Sequence, residues 1–176
     1  MILKTNRLYL RKLRETDESL FYTLMSNANV MNLVPQKVLN KKESAQKLKE
    51  LIEREKTSDT KIWALCRLGD QDMIGFAGLL KNNAAQDEIA YRILEEEWGR
   101  GYGTEITDAL IDFCFNELNS NCVTADVWIE NIRSIKIIEK FMNPTFEFFN
   151  AQDKCTDRRY ELRRENWEKR RSTAEQ

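Results

Sequence analysis

The sequence predicts an α+β fold built on one mixed, mostly antiparallel sheet. Three observations predict it. Apolar residues alternate with polar ones over short runs, most cleanly in Cys122 to Ile129. Three consecutive strand-like runs, 61–68, 73–80 and 88–94, are joined by connections too short for crossovers, so they form an antiparallel meander. Between and around them, longer stretches switch to the 3.6-residue period of amphipathic helices.

The elements follow in order. Arg7 to Leu13 alternates Leu8 and Leu10 with basic residues and reads as a first strand. Thr16-Asp17-Glu18-Ser19 is rich in N-cap residues and opens a short helix carrying Leu20, Phe21, Leu24 and Met25. Asn27 to Pro35 reads as irregular. A helix over 42–56 puts Ala45, Leu48 and Ile52 on one face. After it comes the meander, turning at Gly69-Asp70-Gln71-Asp72 and at the polar segment Lys81 to Gln86. Gly75 and Gly78 weaken the second strand unless a bulge or a close backbone approach requires them. Ile106, Ala109, Leu110, Phe113 and Cys114 mark a helix over 103–118. The strand 122–129 is reached through that helix and so lies parallel to 88–94. A helix over 131–141 is stopped by Pro144, short strands are expected at 145–149 and 158–163, and a charged helical turn at 165–171. No repeat or linker interrupts residues 1–176, which read as a single domain.

Composition narrows the chemistry. With 28 basic and 29 acidic residues, the formal net charge is −1. Binding to nucleic acid or to an anionic membrane calls for a basic excess, so neither partner is expected. The N-terminus lacks the apolar core of a signal peptide, and a cytoplasmic protein is expected. Cys66, Cys114, Cys122 and Cys155 share no metal-binding spacing and read as reduced thiols acting as small hydrophobes. There is no histidine. That removes Ser-His-Asp and Cys-His machinery and the commonest ligand of catalytic zinc, and no metal is expected. Acid–base work falls to Glu, Asp, Tyr, Lys or Cys.

One stretch carries a binding signal. Trp98-Gly99-Arg100-Gly101-Tyr102-Gly103-Thr104-Glu105 stands between a strand and a helix. Glycines there free the backbone for positive φ, and the helix N-terminus offers N–H groups to an anion. Thr104 replaces the third glycine of the dinucleotide fingerprint, and the Gly-Lys-Ser/Thr of the nucleotide P-loop is absent. Locally, an anion cradle and a plain tight connection fit equally well.

The wider pattern resembles the GNAT superfamily of N-acetyltransferases, in particular the branch that acetylates ribosomal-protein N-termini and related amines. Glu88-Ile89-Ala90-Tyr91 resembles its Glu-Ile-Gly-Tyr strand, and Trp98 to Glu105 its acetyl-CoA loop. Asn131-x-x-Ser134 with Glu139-Lys140, Asp157 to Leu162 and Thr5 to Arg11 resemble its later helix, last strand and opening strand. The resemblance implies helices on both faces of the sheet and a splayed central parallel pair, strands 88–94 and 122–129. It implies acetyl-CoA as co-substrate, with the pyrophosphate on the backbone of Arg100, Gly101, Tyr102, Gly103 and Thr104. The pantetheine arm then runs along Tyr91, Arg92 and Ile93, with Asn131 bonding to it. Glu88 is the candidate base, acting through a water, or else a solvated strand-edge carboxylate, and Ser134 is the candidate donor to the leaving sulfur, or else a small residue at the helix–cofactor contact.

Two departures from the family pattern stand out. A tyrosine acid common four residues after the serine is Ile138 here, and the usual Leu-Gly-Phe after Glu-Lys is Phe141-Met142-Asn143 followed by Pro144. They keep open an alternative, a CoA-binding sensor or scaffold without transfer chemistry. The implied acceptor is a primary amine on a peptide N-terminus or a small molecule, handled by a monomer or a homodimer. Its pocket is expected from Asn29 to Pro35, the 42–56 helix, Trp63 and the loop around Gln152. Trp63 and Trp128 read as core or rim residues, and Glu95-Glu96-Glu97 as a solvated turn.

Overall fold

The computed structural model describes residues 1–82 and 86–174. The expected polar turn at 81–86 falls partly on residues outside that set. Among the described residues eight strands form one sheet in the order β1-β2-β3-β4-β5-β6-β8-β7. They are β1 (Leu3–Lys4), β2 (Leu8–Lys12), β3 (Lys61–Arg67), β4 (Met73–Lys81), β5 (Asp87–Ile93), β6 (Cys122–Trp128), β7 (Asn143–Asn150) and β8 (Cys155–Arg163). All neighbours are antiparallel except β5 and β6, which run parallel as expected.

Alternation along the strands divides the apolar residues between two cores. On one face α4 (Tyr102–Asn116) and α5 (Ile132–Ile138) bury Ile106, Leu110, Ile135 and Ile138 against Leu65, Ile89 and Val123. On the other, α1 (Glu18–Ser26), α2 (Ala28–Met31) and α3 (Lys41–Thr57) bury Phe21, Leu24, Met31 and Leu48 against Ile62 and Ala64. The terminal helix α6 (Arg164–Ala174) packs Trp167 on Phe115, ring centroids 4.9 Å apart. Among the described residues no helix is long and apolar enough to cross a membrane.

Several sequence expectations are refined. Asn27 to Pro35 is not wholly irregular, because Asn27 accepts the Asn29 and Val30 N–H groups and starts α2. Gly75 and Gly78 are both required by close approach. A Cβ at Gly78 would sit 1.8 Å from the Lys61 carbonyl oxygen, and one at Gly75 2.2 Å from that of Arg92. The helix at 131–141 ends at Ile138, so Pro144 does not stop it. Pro144 instead lies in β7, the sheet edge, with a register shift beside it. An edge strand tolerates the missing N–H. The lost glycine of the helix exit is absorbed without a left-handed residue: Met142 donates its N–H to the Ile138 carbonyl at 2.9 Å and is itself buried. Trp63 is core, 5% exposed and edge-on to Phe113. Glu97 is not solvated. The turn at 95–97 directs it inward to Arg67 at 2.6 Å, with Arg100 at 3.4 Å.

Candidate active site

The site begins where β5 and β6 part. They pair only at Asp87–Val123 and Glu88–Thr124. This closed end is pinned by Asp87, which is buried and accepts from Lys81 Nζ at 2.5 Å and from the Ser120 hydroxyl. Beyond it β5 stays with β4 to Ile93 and β6 with β8 to Trp128, so their facing backbone edges diverge. Such edges hold unspent hydrogen-bonding groups, which an extended ligand can satisfy as an added strand.

A cleft of about 750 Å³ occupies the opening. Val30, Leu33 and Val34 form one wall, Tyr91, Arg92 and Ile93 the floor, and Asn131, Ser134 and Ile137 the opposite wall. At its far end stands the glycine turn. Gly99 and Gly101 take φ of +76° and +80°, the left-handed region open to glycine. Gly101 is the N-cap of α4 and supplies no side-chain cap. The first N–H groups of α4 are therefore available to an anion, and the dipole of the helix favours one. Gly101, Tyr102, Gly103 and Thr104 line the cleft, whereas the Arg100 side chain turns to Glu97. A Cβ at Gly103 would lie 2.9 Å from Ile137 Cδ1, so the small residue there keeps α4 close to α5.

Two motifs far apart in the chain meet behind this turn. Glu105 accepts from the Thr5 hydroxyl at 2.5 Å, the Arg7 N–H at 2.9 Å and Arg7 Nε at 2.6 Å. Arg7 Nη1 also donates to the Arg100 carbonyl at 2.9 Å, and its guanidinium lies 4.9 Å from the Tyr102 ring centre. The opening Thr-Asn-Arg thus braces the glycine turn from outside. Cations flank the cleft: Arg133 stacks over Trp98 at 4.6 Å, Lys136 lines the wall, and Lys140 donates to Thr104 Oγ1 at 3.3 Å.

Asn131 is engaged within the protein. Its side-chain oxygen accepts the Ser134 N–H at 3.1 Å, capping α5, and its amide donates to the Leu33 carbonyl at 2.8 Å. It ties the two walls together while lining the cleft. Ser134 Oγ lies 3.5 Å from the Tyr91 hydroxyl, and either can donate. This pairing is a feature the sequence reading missed, because it joins residues 43 apart. Burial raises the Tyr91 hydroxyl above its ordinary pKa.

Glu88 stands at the last pair before the strands part. Among the described residues its carboxyl has no hydrogen bond and no ion pair. Burial, then the neighbouring Asp126 carboxylate, pushes its pKa up from 4.5 to about 7; Arg159 opposes this and Asp157 adds to it. Arg159 is itself held by Asp126, at 2.8 and 2.7 Å. The four cysteines are free, and burial raises every thiol, Cys114 and Cys155 to about 12, so none is primed as a nucleophile. Of the expected acceptor wall, Val30, Leu33 and Val34 face the cleft and the α3 helix does not. Gln36 bonds to Asp153 at 3.2 Å, bringing the loop near Gln152 alongside.

Comparison with known proteins bears on the family and the fold. Residues 7–141 match the family model described as an acetyltransferase (GNAT) domain. The uncharacterized N-acetyltransferase YoaA of Bacillus subtilis (strain 168) is 26% identical over 147 residues, covering 79% of this chain and 80% of its own. A GNAT-family acetyltransferase from Bacillus anthracis superposes with a TM-score of 0.80 at 20% identity, over 93% of this chain and 98% of that one. RimL, a ribosomal L7/L12 alpha-N-protein acetyltransferase solved with coenzyme A, gives 0.75 at 15% identity, over 92% and 97%. Matched through most of its length, from the strand that braces the glycine turn to the helix capped by Asn131, the chain belongs to the GNAT family of acetyltransferases.

Proposed function

We propose that the protein moves an acetyl group from acetyl-CoA to a primary amine by direct attack within a ternary complex, with Glu88 as the base. The observation that carries this reading is the position of the Glu88 carboxyl, without a hydrogen bond or ion pair among the described residues, at the last pair before the parallel strands open; burial raises its pKa to about 7. A protein α-amine has a pKa of about 7.7–8.0 and a lysine amine about 10.4. Proton transfer from an α-amine to Glu88, directly or through a water, is therefore close to balanced, and a protein N-terminus or a small molecule with a similarly acidic ammonium is the favoured acceptor. RimL, an alpha-N-protein acetyltransferase by name, has the same fold.

The other roles follow from position. The N–H groups of Gly101 to Thr104 hold the pyrophosphate, assisted by the flanking cations. The open edges of Tyr91 to Ile93 take the pantetheine, with remaining capacity on Asn131. The ammonium loses one proton to Glu88 and the free amine attacks the thioester carbon; the C–S bond breaks, the nitrogen gives up its second proton, and that proton reaches the departing thiolate by way of the Ser134 hydroxyl, with Tyr91 behind it. Ile138 is buried in the core and takes no part. Reduced thiols suit a cytoplasmic site of action, and every residue named belongs to one chain, so a monomer or a homodimer serves equally.

Release of free thiol from acetyl-CoA over a panel of peptides, amino acids, polyamines and amino sugars tests the transfer, beside calorimetry with acetyl-CoA and ATP. Acetyl-CoA binding with acceptor-dependent thiol release is expected. ATP binding without acetyl-CoA binding, or binding with no release on any amine, would sink the reading. The turn is tested separately. Gly101→Val forces a branched side chain into a left-handed residue, costing about 1–2 kcal/mol of stability, and is expected to weaken acetyl-CoA binding about tenfold or more as the N–H groups shift. Unchanged affinity would exclude the turn as the pyrophosphate seat.

A further inference from the structure

Arg92 lines the cleft, yet acetyl transfer as set out above has no use for its charge. Residues 88, 90 and 92 share one face of β5, opposite Tyr91. On that face the Arg92 guanidinium meets the sulfurs of α1 and α2: Nη1 lies 3.4 Å from Met25 Sδ and 3.1 Å from Met31 Sδ. Nη2 donates to Gln36 Oε1 at 3.1 Å, and the group lies 5.5 Å from the Phe76 ring centre. All of these partners are neutral, and thioether sulfur is a weak acceptor. Among the described residues no carboxylate comes within ion-pair distance of Arg92. Asp153 is reached only through Gln36, which donates to it at 3.2 Å.

The buried arginines are treated differently. Arg11 and Arg159 each donate to both oxygens of an aspartate, Asp17 and Asp126. The remaining charges around the cleft are already engaged or face elsewhere. Glu95 accepts from Asn27 and Asn29, Glu97 from Arg67, and Arg133 lies over Trp98. Lys136 belongs to the opposite wall. Burial lowers the pKa of Arg92 to about 10, which still leaves it charged at neutral pH. A half-buried cation with only neutral partners is destabilising, and an apolar residue of similar volume relieves that. Its fork suits a two-oxygen anion.

We propose that Arg92 recognises an anionic group, a carboxylate or phosphate, carried by the amine acceptor. This rests on the transfer reading of the cleft. Residues 88 and 92 are about 13 Å apart along an extended strand. An acceptor that meets both is an amino acid derivative, an aminoalkyl phosphate, or a peptide with an acidic residue within its first two or three positions.

The test uses matched acceptors: short peptides with Glu or Gln at the second position, and 2-aminoethyl phosphate against ethanolamine. The wild type is expected to favour the anionic member of at least one pair by about tenfold or more in kcat/KM. Arg92→Gln is expected to lose that preference, kcat/KM for the anionic member falling about tenfold more than for its neutral partner and more than acetyl-CoA affinity; Arg92→Met, which suits the sulfur-lined site, repeats the measurement in a second background. Preference for the peptide pair identifies a chain terminus as the source of the anion, and preference for the phosphate pair a small molecule. Equal use of both members by the wild type, persistence of the preference in the variants, or a parallel fall in acetyl-CoA affinity overturns the proposal. Calorimetry of the same pairs on the CoA-bound protein separates the two readings. Anion-selective binding lost in Arg92→Gln without any thiol release defeats the transfer reading and keeps this one. Thiol release with no anion selectivity does the reverse.

Discussion

Glu88→Gln lowers kcat/KM by about 10²–10⁴-fold, the usual contribution of a positioned general base. The variant is isosteric and residue 88 is not among those lining the cleft, so acetyl-CoA affinity is expected to stay within about twofold. The pH profile carries the sharper signature. As the proposed base Glu88 must be ionised, and burial raises its pKa to about 7. The wild-type rate therefore falls tenfold per pH unit below about 7, and this limb disappears in the variant. Stability moves the opposite way. Between 4.5 and about 7 the folded state holds a proton the unfolded chain has released. The wild type thus loses stability as pH rises through that window, by up to about 3 kcal/mol before residual solvent screening is discounted. Glutamine cannot ionise, so the variant should melt several degrees above the wild type at pH 8 and nearly with it at pH 5. An unchanged pH–rate profile would exclude Glu88 as base.

Asp17→Ala is expected to destabilise the fold by about 3–5 kcal/mol without touching the chemistry. Arg11 lies on β2 and Asp17 closes the turn before α1; both side chains are under a tenth exposed. Asp17 accepts Arg11 Nη1 at 2.8 Å and Nη2 at 2.7 Å, as well as the Arg14 N–H at 2.8 Å. Arg11 further donates to the carbonyls of Gln71 and Lys12. Removing the carboxylate leaves a charged guanidinium in a site built for a pair. Each kcal/mol shifts the melting temperature of a domain this size by about 2–4 °C. The double variant Arg11→Met, Asp17→Leu should recover most of the loss, since no charge is then stranded. A loss below about 1 kcal/mol for Asp17→Ala would show the pair to be solvated.

The parts of this protein that were legible in its sequence are those written in local periodicity. The meander, the parallel strand after the glycine turn and the two helices of the α4 face follow from spacing of two and 3.6. Gly75 and Gly78 declared a close approach because little else justifies glycine in a strand. What escaped was set by distant neighbours. β7 is mostly solvent-exposed, with Phe146 and Phe149 at 50% and 69% exposure, so its apolar pattern does not announce which side is buried. Glu97 belongs to an acidic run that reads as solvated, and Arg67, 30 residues earlier, turns it inward with Arg100 beside it. Tyr91 and Arg92 are adjacent in sequence and were both read as donor contacts. Strand alternation sends Tyr91 toward Ser134 and Arg92 among methionines some 60 residues earlier in the chain. An arginine two and four positions from apolar and acidic residues on one strand face was the available signal, and it does not reveal that the arginine lacks a carboxylate.

The short pairing between β5 and β6 has a mechanical consequence. β1 to β5 form one continuous plate and β6, β8 and β7 another, and within the sheet they join at two residue pairs beside Asp87. Beyond that corner the plates are held together by helices and by cross-links such as Asn131 to Leu33. A ligand that bonds to both open edges acts as a splice. It adds RT ln(1 + [L]/Kd) to the stability of the whole, about 2.7 kcal/mol at a hundredfold excess over Kd. For such a protein the resistance to unfolding, and with it persistence against proteolysis, rises with the supply of whatever fills the gap.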